Sequence, residues 1–309
     1  MLASDAFLDF IYVGTPRAGS TWLRTVLAEH PEIHLRDHRA LPPGCERDPY
    51  IASLDSEEGL SRYRSLFGAA MPYTLIGDVV ASCAADPFNA GRLARRFPTA
   101  KVIAFLRDPV ELVHSFYRDE IRRDGARGDI ASRLAERPDW LQFGLYHRQL
   151  QPYFDAFDAE QICVVVYERF FDDEQAHLPQ LLQFLDVDER FRPSVMGYQV
   201  VERRRGSVGL KRRLSDLIAP PASADSGHLE ISYKSWPSPS HEPADGEIRD
   251  RLQELFDADI GRLERDLGLD LSSWRAPRRA VEPSSDNIIH LPEARAALQR
   301  MRKRASSDA

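Results

Sequence analysis

Asp9–Leu27, DFIYVGTPRAGSTWLRTVL, is the stretch whose reading decides the fold. Phe10–Val13 is a short run of aromatic and β-branched residues, the composition of a buried strand. Gly14 ends the run and opens a tight loop. From Ser20 the apolar residues Trp22, Leu23, Val26 and Leu27 fall at helical spacing on one face. Strand, glycine loop and helix form a cradle for phosphate. Loop N–H groups and the first helical turn converge on one point, where the helix macrodipole favours an anion.

The loop Gly14-Thr15-Pro16-Arg17-Ala18-Gly19-Ser20-Thr21 has both glycines and the final threonine of a Walker A loop, G-x-x-x-x-G-K-[ST]. Ser20 stands where that loop carries its lysine, the main charge on the β- and γ-phosphates. The loop's cation is instead Arg17, in the middle. The pattern points to an anion other than an ordinary triphosphate tail.

A second segment needs explaining. Lys101–Leu106 (KVIAFL) reads as a buried strand, followed by Arg107-Asp108-Pro109-Val110-Glu111. Asp108 suits a helix N-cap, Pro109 the first helical position, and Glu111 completes a capping-box-like arrangement. Leu112, Val113, Phe116 and Tyr117 supply the buried face of the helix. Capping accounts for Asp108, Pro109 and Glu111 without any function. It leaves Arg107, at a strand end beside a helix start, and Ser115, either as surface residues or as ligands of an anion.

The rest of the chain supplies more alternating strands and helices. Tyr73–Gly77 and Gln161–Tyr167 read as strands; Leu178–Leu185 and Glu247–Leu267 read as helices, with Gly268 as a C-cap. Asp78 follows the first of these strands, where a carboxylate lies on the ligand side of an open α/β sheet or else caps a turn. The run Arg203-Arg204-Arg205-Gly206-Ser207-Val208-Gly209-Leu210-Lys211 reads as a solvated face or as an anion clamp. Residues 31–61 read as a polar stretch, and Ala219–Gly246, rich in Pro and Ser, as a loop or lid. Beyond Trp274 a polar tail is expected, with Leu291–Arg304 partly helical. The organisation is a single domain over 1–275 with a tail over 276–309.

The bulk numbers limit the function classes. The chain has 309 residues, 29% charged and 43% hydrophobic, an ordinary globular composition. A net charge of −7 argues against bulk binding of nucleic acid or anionic membrane. No apolar run is long enough to span a bilayer. With the first strand starting at Phe10 and only 3 cysteines, Cys45, Cys83 and Cys163, a cytoplasmic location is expected. His30, His34 and His38 recur every four residues, but Pro31 argues against one helix through them and no metal site is expected.

Two segments carry a family resemblance. TPRAGSTW resembles the 5′-phosphosulfate-binding loop of sulfotransferases that use 3′-phosphoadenosine 5′-phosphosulfate (PAPS), whose common form is Pro-Lys-Ser/Gly-Gly-Thr-Thr-Trp. RDPVELVHSFY resembles their 3′-phosphate-binding segment. FDADIGRLERDLGLDLSSW is similar to the closing helix of many bacterial members. The resemblance covers residues 9–275 and is to bacterial-type enzymes related to glycosaminoglycan and carbohydrate sulfotransferases. It implies a P-loop-type three-layer α/β fold with a central, mainly parallel sheet flanked by helices.

It also implies site residues. Arg17, Ala18, Gly19, Ser20, Thr21 and Trp22 would hold the 5′ end of PAPS, with Arg17 also stabilising charge on the departing phosphate. Arg107 and Ser115 would hold the 3′-phosphate, Arg204, Arg205 and Gly206 would close over it, and Tyr167 would lie near the adenine. Asp78 falls where some members carry a catalytic glutamate, although Gly77-Asp78-Val79-Val80-Ala81 lacks the family's following lysine and proline. Asp78 is therefore the first choice for the base, with His38, on the acceptor side, and His114 as fallbacks. The basic run lacks the Asp-Trp that follows its second glycine in the family. The expected reaction moves a sulfuryl group to a hydroxyl or amine of a small-molecule, lipid or carbohydrate acceptor, with no metal required. The alternatives are a kinase-like phosphotransferase using ATP and magnesium, and a nucleotide-binding interaction protein without turnover. The oligomeric state is not legible in the sequence.

Overall fold

Successive side chains of a strand point to opposite faces, and the central strands here are apolar on both. β1 (Phe10–Gly14), β4 (Lys101–Leu106) and β5 (Ile162–Val166) are buried along almost their whole length, as expected of parallel strands covered on both faces. Ile11, Val13, Val102, Ala104, Leu106, Ile162, Val164 and Val166 enter one core; Phe10, Tyr12, Ile103, Phe105, Cys163 and Val165 enter the other. The computed structural model describes residues 7–36, 48–68, 74–124, 128–203, 228–233, 246–275 and 288–289.

Helices cover both faces. α1 (Ser20–Glu29) follows β1, and after β2 (Ile33–Leu35) come α2 (Pro49–Ala52) and α3 (Glu57–Ser65). β3 (Leu75–Val79) leads to α4 (Phe88–Arg96), and β4 to α5 (Pro109–Asp124), α6 (Ile130–Glu136), α7 (Asp139–Gln142) and α8 (Tyr146–Ala156). After β5 come α9 (Tyr167–Asp172), α10 (Glu174–Leu185), β6 (Tyr198–Arg203), β7 (His228–Tyr233), α11 (Gly246–Leu267) and β8 (Ile288–Ile289). Residues of α3, α4, α5, α8 and α11 pack on the Ile11 face, and those of α1, α9 and α10 on the Phe10 face. The fold is thus the three-layer α/β arrangement expected.

The sheet order is β2-β3-β1-β4-β5-β8. The first five strands are parallel and β8 pairs antiparallel with β5. From β1 the chain moves outward to β2 and β3, then crosses to β4 on the other side. The loops leaving β1 and β4 therefore lead to helices on opposite faces, and the crevice between them is the switch point where open α/β sheets bind ligands.

Several elements differ from expectation. The stretch over 31–61 contains β2, α2 and α3. His34 lies in β2, its Nε2 at 2.5 Å from the Phe67 carbonyl oxygen, and His30 lies beyond the end of α1, so these two share no helix. Within the expected lid, β7 pairs antiparallel with β6. Ile288–Ile289, placed in a tail by sequence, joins the sheet edge. The region expected to be helical over 291–304 lies outside the described residues.

Candidate active site

The loop after β1 is shaped by two glycines. Gly14 has φ 140, and a Cβ there would stand 2.6 Å from the Ala81 carbonyl oxygen. Gly19 caps α1 with φ 86, where a Cβ would meet the Phe171 ring at 2.8 Å. Both positions demand glycine for conformation and for space. Tyr12 and Thr15 anchor the loop. The Tyr12 hydroxyl donates to the Thr15 carbonyl at 2.9 Å, and the Thr15 hydroxyl donates to the Phe143 carbonyl at 3.2 Å. Ser20 and Thr21 form the first turn of α1, partly exposed, while Ala18 is buried.

Trp22, expected among the residues that would hold the 5′ end of PAPS, packs inward. It is buried in the core, edge-on to Phe170 and Phe171 at 5.5 and 5.0 Å, and its indole N–H has no hydrogen-bond partner among the described residues.

Arg107 stands at the end of β4 beside the loop. Its backbone is clamped: the Tyr146 hydroxyl donates to its carbonyl at 2.6 Å, and the next N–H, of Asp108, donates to Glu168 Oε1 at 2.9 Å. Glu168 also accepts from Trp274 Nε1 at 3.2 Å, tying the end of β5 to the closing segment. Asp108 caps α5 by accepting from the Val110 and Glu111 N–H groups. Burial, then the nearby Glu168 and Glu111, push its carboxyl up to about 7. The Arg107 side chain lies over the Tyr167 ring, 4.9 Å from the centroid, and Nη1 donates to the Arg17 carbonyl at 2.8 Å. No carboxylate is within ion-pair distance of it among the described residues, and its buried Nε has no acceptor.

Arg17 reaches the same place from the other side. It holds a left-handed conformation (φ 65), its Nε donates to Ser115 Oγ at 3.3 Å, and its Nη1 lies 3.4 Å from Asp119 Oδ1. Sequence reading places Arg17 and Ser115 at opposite ends of the nucleotide; the structure joins them. The loop, Arg17, Arg107, Ser115 and Tyr167 thus converge on the switch point. His114, next to Ser115 on α5, is buried. His38, Arg204, Arg205 and Gly206 lie outside the described residues.

Asp78 is the next-to-last residue of β3, in register with Ile11, so its side chain enters the layer beneath α3. It is only 2% exposed. Its Oδ2 accepts from the Tyr63 hydroxyl at 2.7 Å, and its Oδ1 accepts from the Val79 N–H at 2.7 Å and pairs with Arg36 Nε at 3.0 Å. Arg36, itself buried, also pairs with Asp48 at 2.6 Å. Burial pushes the Asp78 carboxyl up, against the pull of Arg36, to about 6. Sequence reasoning missed this network, which joins residues from four separate segments. It also missed Asp119, although the spacing of four from Ser115 along a helix places both on one face.

A glycine loop at the switch point, without the Walker lysine and flanked by arginines from the loop and the neighbouring strand end, defines an α/β protein of the P-loop-type fold with a candidate anion site. The sulfotransferase family model matches residues 10–191, more than half of the chain, and the protein belongs to that family. Among curated relatives it is 29% identical over 193 residues to mouse (Mus musculus) heparan sulfate glucosamine 3-O-sulfotransferase 3B1, covering 57% of this chain and 45% of that one. It is 24% identical over 241 residues to zebrafish (Danio rerio) protein-tyrosine sulfotransferase 1, covering 71% of this chain and 64% of that one. The chain thus spans less than two thirds of either relative. Among solved structures, a sulfotransferase from Alicyclobacillus acidocaldarius superposes with a TM-score of 0.62 at 21% identity, over 88% of this chain and 100% of that one. That likeness supports the shared fold. Among the described residues, no helix is long and apolar enough to cross a membrane, and no group of His, Cys, Asp or Glu could hold a metal ion.

Proposed function

We propose that the protein transfers a sulfuryl group from PAPS to a hydroxyl or amine of a small-molecule, lipid or carbohydrate acceptor. The observation that carries this reading is Arg107: a cation fixed at a strand end, with no carboxylate partner among the described residues and a buried Nε left without an acceptor. Such an atom costs about 1–3 kcal/mol unless a ligand satisfies it. With Ser115 on the facing helix it fits a dianionic 3′-phosphate, and the loop N–H groups before α1 fit the 5′ end. The donor supplies an activated sulfuryl group, less charged than a terminal phosphoryl group, so magnesium is less needed.

In this reading the chain's own residues position and neutralise. Ser20 and Thr21 bind the 5′-phosphate, Arg17 balances charge on the departing phosphate, and Tyr167 lines the adenine side beneath Arg107. The acceptor's proton is assigned to Asp78, whose raised pKa makes it a better base than an ordinary aspartate. Arg36 and Tyr63 hold that carboxylate, so the acceptor hydroxyl must take the place of one of them. Ser20 in the lysine slot disfavours an ATP-dependent phosphotransferase. The curated relatives' names include glucosamine and protein-tyrosine acceptors, which motivates testing both kinds. A cytoplasmic location remains part of the proposal.

The test is transfer from sulfur-labelled PAPS to a panel of amino sugars, phenols, tyrosine peptides and lipid alcohols. Label in any acceptor, lost in Arg107→Gln, supports the reading. Transfer of labelled phosphate from ATP instead would overturn it.

A further inference from the structure

We propose that Asp119 is a positioning residue for Arg17 and competes with the donor nucleotide's phosphates for that guanidinium. The proposal deepens the nucleotide reading and rests on it. Ser115 and Asp119 lie four residues apart on α5, so one helix face grips Arg17 at two points: Nε at Ser115 Oγ, 3.3 Å, and Nη1 at Asp119 Oδ1, 3.4 Å. The base of the Arg17 side chain is fixed as well, since its backbone sits at φ 65 and its carbonyl accepts from Arg107. The guanidinium is therefore held against α5 before any nucleotide arrives.

Core packing does not account for a carboxylate there. The Asp119 side chain is 20% exposed, and its Oδ1 also meets Arg122 at 3.6 Å. An incoming phosphate must displace Asp119 from Arg17 or share the guanidinium with it, and sharing brings two anions together. When the bisphosphate product leaves, Asp119 takes Arg17 back. The carboxylate thus keeps Arg17 in place while holding product affinity down, which favours release.

The experiment is calorimetric titration of adenosine 3′,5′-bisphosphate into the full chain: wild type, Asp119→Asn, Arg17→Gln and the double variant. Asp119→Asn should tighten binding by about 5-fold, the worth of a part-exposed ion pair. Asp119→Glu, which keeps the charge, should stay near wild type. In the Arg17→Gln background, Asp119→Asn should change nothing. Thermal unfolding checks each variant, and Asp119→Ser should show the same tightening where the asparagine variant does not fold. Unchanged or weaker binding in folded Asp119→Asn overturns the proposal. So does equal tightening with and without Arg17, which would mark simple removal of a charge. If wild type binds no bisphosphate, the nucleotide reading fails; if it binds and Asp119→Asn does not tighten it, only the present inference fails.

Discussion

Replacing Arg107 by glutamine should separate binding from stability. In the folded protein Arg107 contributes a hydrogen bond to the Arg17 carbonyl at 2.8 Å and a cation–π contact with Tyr167 at 4.9 Å. Their loss costs about 1–3 kcal/mol together. Glutamine places an amide atom where the buried Nε stands, so no relief offsets that loss, and the unfolding midpoint should fall by several degrees. Binding should fall much further. Two charge-assisted bonds to a phosphate are worth about 3–5 kcal/mol, which corresponds to a Kd raised about 100- to 4000-fold. Calorimetry with adenosine 3′,5′-bisphosphate and, in parallel, adenosine 5′-monophosphate measures this. Wild type should prefer the bisphosphate strongly, and Arg107→Gln should lose that preference. A loss below about 5-fold, or an equal loss for both nucleotides, would refute the assignment of Arg107 to the 3′-phosphate.

Further outcomes follow from the same geometry. Gly19→Ala places a methyl against the Phe171 ring in a left-handed conformation, so denaturant melts should show a loss of about 1–3 kcal/mol, together with weakened nucleotide binding. Transfer activity should fall as pH drops through about 6, where Asp78 takes up a proton, and Asp78→Asn should abolish the reaction; a flat profile down to pH 5 would contradict that base. Asp108 is raised to about 7, above the unfolded value near 4, so the folded state binds its proton more tightly. Its contribution to stability is full below pH ~4 and is lost as pH rises through about 7, up to about 4 kcal/mol; Asp108→Asn, which still caps α5, should flatten that slope. Arg36→Met leaves Asp48 and Asp78 buried without their cation and should cost about 3–5 kcal/mol in chemical denaturation.

Where residues signal through local pattern, the sequence was readable. KVIAFL is β4 residue for residue, and the helix expected over 247–267 is α11, Gly246–Leu267. The strand–loop–helix over 9–27 was legible because Gly14 and Gly19 sit where only glycine suits both the backbone and the space. β2 was missed because three edge residues, Ile33–Leu35, carry too little periodicity. α10 begins at Glu174, earlier than the Leu178 expected, because the polar first turn Glu174–His177 adds little to the apolar period. Asp78 was placed at the correct strand end, but its direction depends on register with Ile11, and its partners Arg36, Asp48 and Tyr63 come from distant segments. No local pattern encodes such a meeting. The contact between Arg17 and Ser115 is of the same kind, made by adjacent strands that are far apart in sequence.

The measurement that bears most directly on the whole account is a side-by-side titration of the wild-type chain with adenosine 3′,5′-bisphosphate and with ATP plus magnesium. The account predicts saturable, one-to-one binding of the bisphosphate in the micromolar range or tighter, and ATP weaker by at least about tenfold. Preference for ATP with magnesium, or no binding of the bisphosphate, would contradict it.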